Sequence, residues 1–151
     1  MLLVLAHLFA FLTLCATALG QRISIGAPAE WSTVSPGSNL TVRVDLPLTL
    51  TGTQEVAIAI GFWPCAHRCA DQDVREVLGD VVYRGLYTPA LVTPGLPPFE
   101  NVTVAVPEHL EGEEVSLNVA HFSLIGAGAE PFMEVANITL FLAEVVDREM
   151  Y

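Results

Sequence analysis

Polar and apolar positions alternate strictly from Asn39 to Leu46. Leu40, Val42, Val44 and Leu46 fall on one face and Asn39, Thr41, Arg43 and Asp45 on the other, the period-two mark of a half-buried strand. Comparable runs occur at 22–26, 56–62, 79–87, 101–106, 115–124 and 136–145. Turn formers separate them: Pro28, Pro36-Gly37, Thr51-Gly52, the proline-rich stretch 88–98, Pro107 with Gly112, and the segment 126–131. Short, evenly punctuated strands without a long segment of period 3.6 predict an all-β fold, an immunoglobulin-like antiparallel β-sandwich of about seven strands.

Two runs depart from plain alternation. VAIAIGF at 56–62 is apolar on both faces, as expected of a central strand covered on two sides, a pattern that a buried helix segment of that length would share. In 115–124 the apolar phase runs through Val115, Leu117 and Val119 and then switches to Phe122 and Leu124. A bulge near Ala120 or His121 would produce that switch.

The tract 62–79, FWPCAHRCADQDVREVLG, is the least strand-like part of the chain. A disulfide needs Cα atoms about 4.4 to 6.8 Å apart, which residues four apart reach in a helical turn and not in a strand. A Cys65–Cys69 bridge therefore predicts a compact turn. Asp71 as N-cap, Val74, Val77 and Leu78 at helical spacing and Gly79 as stop predict a short helical segment after it. The competing assignment of Cys65-x-His67-x-Cys69 is a metal site, but its spacing matches no strong zinc pattern and thiolates oxidise in the secretory route. The disulfide is preferred.

The first twenty residues are apolar at sixteen positions, carry no charge, and end in Ala18 and Gly20 at −3 and −1 of a cleavage site before Gln21. They are expected to be a secretory signal peptide, 1–20, ahead of a single domain, 21–151; a membrane anchor is the competing reading, since the apolar run is nearly long enough to span. Cleavage removes Cys15 and leaves two cysteines, an even number suited to an oxidising compartment. The chain has 6 Lys+Arg, all arginine, against 17 Asp+Glu, a net charge of −11. That excess repels phosphate backbones and anionic membrane surfaces, so neither nucleic acid nor membrane is expected as a partner. A secreted monomer is expected.

Candidate chemistry is sparse. No nucleophile motif is present, and neither a catalytic residue, a cofactor nor a resident metal is expected. β-Sandwich copper oxygenases use a mature N-terminal histidine where this chain has Gln21. His121, in an apolar strand, reads as a core or bulge histidine before a general base. Asp71 with Asp73 and Glu113 with Glu114 read as solvated edges. Three sequons, at Asn39, Asn101 and Asn137, put Asn and Thr on the polar face of their strands. All three asparagines are candidate glycosylation sites.

The segments RISIGAP, SPGSNLTVRV, VAIAIGF, LGDVVYRGLY, NVTVAVP and VSLNVAHFSLIGAGAEPFMEVANITL resemble the necrosis-inducing secreted protein (Nis1-like) family of filamentous fungi. The similarity covers nearly the whole mature chain, is most specific from Val115 to Leu140, and breaks at 65–73. The resemblance implies a small, secreted, non-enzymatic effector that binds a host receptor-associated kinase and suppresses pattern-triggered immunity or induces necrosis. Trp63, Phe132 and Met133, in the expected loops 62–78 and 126–133, are the candidate partner contacts. The alternative is a carbohydrate-binding or cell-wall accessory module, for which Trp31, Trp63, Tyr83 and Tyr87 are the candidate sugar platforms.

Overall fold

The computed structural model describes residues 22–48, 52–71, 73 and 76–143, so the expected leader lies outside the described residues. Eight strands form: β1 (Ser24–Ala27), β2 (Thr33–Val34), β3 (Asn39–Asp45), β4 (Thr53–Pro64), β5 (Asp80–Leu86), β6 (Phe99–Ala105), β7 (Glu114–Ile125) and β8 (Glu130–Leu142). They make a three-stranded sheet in the order β1-β3-β6 and a five-stranded sheet in the order β2-β8-β7-β4-β5. The two sheets enclose one core, and the predicted sandwich is what forms.

The alternation at 39–44 does what it predicts, whereas Asp45, expected on the solvent face, is buried beside Arg43. Val42 and Val44 are fully buried while Asn39 and Thr41 face solvent. β3 pairs with β6 in unbroken register from Asn39↔Ala105 to Asp45↔Phe99. Ile58, Ile60 and Phe62 of β4, Val115, Leu117 and Val119 of β7 and Leu140 of β8 supply the other side of the core. Each such side chain removed from water stabilises the fold by about 1.5 to 3 kcal/mol. β2 was not predicted, because two residues in parallel register with Phe141 and Leu142 leave no periodicity to read.

The strand expected from 136 begins at Glu130, because the inward position at 134 holds a glutamate and breaks the apolar alternation. The bulge expected near Ala120 or His121 is not in β7, which pairs with β8 without interruption from Glu114↔Phe141 to Ile125↔Glu130. It lies opposite, in β4, where the register slips between Glu55 and Ala57.

A 3-10 turn forms at Cys69–Asp71, and the helical segment expected after Asp71 falls partly on residues 72, 74 and 75, which lie outside the described residues. Residues 77–79 are irregular. The Asn118 side-chain amide donates to the carbonyls of Val77 and Leu78, which flattens this segment against the sheet. Gly61 permits that approach, since a Cβ there would run into the Leu78 carbonyl. Gly79 then turns the chain into β5 at φ 76°.

Candidate functional site

The bulge at Val56 has a chemical consequence. A one-residue insertion exchanges the two faces of a strand, so Glu55 turns inward beside Ser123 while Ile58 and Ile60 keep their inward positions. Glu55 there meets His121, which points inward from β7 and is 3% exposed. His121 Nε2 lies 2.5 Å from Glu55 Oε2 and Nδ1 lies 3.1 Å from Glu134 Oε1. Glu134 Oε1 also accepts the Ile23 backbone N–H at 3.2 Å, fastening the segment before β1 to the five-stranded sheet.

A neutral imidazole has one N–H and cannot donate to two carboxylates; an imidazolium can. Burial pushes the His121 pKa down, but the hydrogen bonds to Glu134 and Glu55 and the charges of the two carboxylates outweigh it and raise it above the ordinary value. The geometry therefore favours the protonated imidazole between the two carboxylates. Tyr87 closes its other side, edge-on to the imidazole at 5.2 Å between centroids. Its hydroxyl donates to the Val44 carbonyl at 3.1 Å, which ties the two sheets. Burial first, then Glu55, Asp45, Glu100 and Glu134, push the Tyr87 phenol well above its usual pKa. Among the described residues Glu55 Oε1, which is buried, has no hydrogen-bond partner. Both ring nitrogens of His121 are occupied and the ring is shielded from solvent, so the group is built to hold charge in place.

Cys65 and Cys69 are joined, with Cα atoms 5.1 Å apart, and among the described residues no group of three His, Cys, Asp or Glu side chains is arranged so that it could hold a metal ion. His67 is exposed. Glu114 anchors the bridged turn, accepting the Cys69 N–H on Oε2 at 2.8 Å and the Cys65 N–H on its backbone carbonyl at 3.1 Å. Asn39, Asn101 and Asn137 are all exposed. Asn39 and Asn101 share the outer face of the three-stranded sheet, where Thr41 and Thr103 of the two sequons meet directly across the strands.

Phe132 and Met133 were expected in a loop but stand in β8, and they point to opposite faces. Phe132 is half-buried opposite Ser123, whereas Met133 pairs with Phe122 on the outer face and is 73% exposed. Trp63 is half-buried at the end of β4. Of the four aromatic platform candidates, Tyr87 is core, Trp63 and Tyr83 are half-buried, and Trp31 is exposed but tilted by 39° against Phe141. They form no flat row.

The outer face of the five-stranded sheet carries a feature that periodicity did not show. Ala57, Ala59 and Ala120 form the floor of a groove of about 540 Å³, with Phe122 and Met133 on one flank and Arg84 and Leu86 on the other. Small residues on central strands between large ones on their neighbours make the depression. The sequence signal was present in the alternate alanines of VAIAIGF.

This architecture is that of a small all-β sandwich with one short disulfide-closed turn. The Nis1 family model matches residues 18–140, and the chain belongs to the Nis1 family; it is a fungal effector-like protein. Among curated proteins nothing matches it. Among solved structures it is similar to a cellulose-active polysaccharide monooxygenase from M. thermophila, with a TM-score of 0.52 and 9% sequence identity. That likeness covers 77% of this chain and 55% of the other and shows the fold alone.

Proposed function

We propose that the secreted mature chain acts as a monomeric, non-enzymatic effector that binds a host receptor-associated kinase and lowers pattern-triggered immune signalling. The observation that carries this reading is the family match over residues 18–140. The state of His121 supports it. Among the described residues His121 is the histidine set between two carboxylates, sealed in the core with both nitrogens engaged, where it serves architecture in place of proton transfer to a substrate.

A pull-down of the purified secreted protein against receptor-kinase cytoplasmic domains, with a polysaccharide panel in parallel, tests the reading. Saturable binding to a kinase domain is the expected result. Saturable polysaccharide binding without kinase binding would replace it with a wall-binding module.

A further inference from the structure

Among the described residues β5 is an outermost strand of its sheet and pairs only with β4. Its edge differs from the other three. β1 has four residues and a register break, β2 has two residues, and β6 carries the Asn101 sequon within the strand. β5 has seven residues with neither proline nor lysine, the residues with which proteins commonly blunt such edges. Its own register break lies between Tyr83 and Val81, so the run from Tyr83 to Leu86 is regular.

The direction of the free backbone groups follows from one bond. The Tyr87 N–H donates to the Val56 carbonyl, so the backbone of Tyr87 faces β4, and by alternation so does that of Gly85. The N–H and C=O groups of Arg84 and Leu86 therefore point off the sheet, and among the described residues nothing bonds to them. Their side chains stand on the outer face beside Ala59 and Ala57. Leu86 is 73% exposed, and Val81, Leu91 and Val92 on and just after the same strand are exposed too. Arg84 is an exposed guanidinium without an ion pair among the described residues, in a chain of net charge −11.

We propose that the edge of β5 is a strand-addition site for an extended peptide of a protein partner. That peptide carries a carboxylate opposite Arg84 and an apolar side chain two residues away opposite Leu86. Main-chain bonds to Arg84 and Leu86 hold the added strand, and the outward pairs set its sequence. A second copy is the weaker occupant, because two chains of charge −11 repel. The proposal rests on the preceding section only in that the partner is a protein; a kinase pull-down that fails leaves this edge standing.

The test uses the full secreted protein and a displayed library of random twelve-residue peptides. Expected winners combine an acidic residue with an apolar one two positions away. Arg84→Glu should weaken the best synthetic winner about tenfold by reversing the charge pair. Leu86→Pro should do the same by deleting an outward donor; a proline there costs no bond to β4. N-methylation of the peptide at alternate amides should abolish binding in one phase and spare it in the other. Hydrogen exchange should slow at the Leu86 and Arg84 amides on binding, with Gly85 unchanged. A selection without winners, winners indifferent to both substitutions, or dimers that Leu86→Pro dissolves would each overturn the proposal.

Discussion

Val115, Leu117 and Val119, and then His121 and Ser123, all point into the core from β7, in one unbroken register with β8. The first three belong to the apolar core, whereas His121 meets Glu55, Glu134 and Tyr87. One strand thus holds the sandwich together in two ways. Its apolar half gains from area removed from water, which is non-directional and indifferent to pH. Its polar half gains from opposite charges that compensate one another's burial, and it fails if one of them is removed. The same inward position is forgiving at one end of the strand and exacting at the other.

The largest effect is expected where the compensation is broken. His121→Ala leaves the carboxylates of Glu55 and Glu134 buried without their cation and should cost about 3 to 5 kcal/mol, read as a lower urea midpoint at unchanged slope. Replacing the whole cluster should be milder: His121→Met with Glu55→Leu and Glu134→Gln is expected to fold, because an apolar substitute of similar volume offsets the lost pairing. If the single and the triple variant were equally damaging, the two halves of β7 would not differ in kind.

Leu117→Ala probes the other half. A fully buried leucine replaced by alanine loses transfer energy and leaves a cavity, together about 3 kcal/mol. That loss should be the same at pH 5 and pH 8, whereas the loss from His121→Ala should shrink at the higher pH. Equal pH dependence in both would remove the distinction.

The contrast also explains what could be read in advance. Seven strands were legible because most of their inward positions are apolar, and polar and apolar residues alternate along β3 in sequence. The bulge was placed on the wrong strand because the phase switch at Phe122 and Leu124 looks like a slip of β7. In fact His121 and Ser123 continue the inward face as polar residues. A hydrophobicity pattern cannot distinguish a strand that bulges from one whose core turns polar. The partner of His121 was invisible for a second reason: Glu55 reaches it only through the extra residue Val56 in another strand, 66 positions away in sequence. The groove and the β5 edge depend on which strands become neighbours, which no local pattern states.

A smaller effect concerns the turn that covers the outer side of β7. Its two half-cystines close a very short loop, and in the chain-entropy account Cys65→Ser with Cys69→Ser should cost about 2 kcal/mol. The loss should fall on local order before global stability. Amides of 65–78 and the outward Asn118 and Ser116 should exchange faster, while His121 and its carboxylates keep their protection, as measured by hydrogen exchange with mass spectrometry. Faster exchange at His121 would mean that the turn and the buried cluster form one cooperative unit.

The finest distinction is the sign of a slope. His121 titrates above its ordinary 6.5 in the folded protein, so between 6.5 and the folded value the native state binds more protons than the unfolded chain. Stability from this group is then complete below about pH 6.5 and is lost as pH rises through the folded pKa, by at most about 1.4 kcal/mol per pH unit. Above that range a neutral imidazole has one N–H for two carboxylates. Glu55→Gln with Glu134→Gln removes the charges that raise the pKa and leaves burial, which lowers it. A glutamine can also donate to the neutral ring. The double variant should therefore show the opposite slope, gaining stability as pH rises through 6.5 and below it, where the unfolded chain now binds the extra proton. Urea midpoints of both proteins between pH 5 and pH 9 decide it. Parallel curves would mean that the carboxylates do not hold the proton on His121.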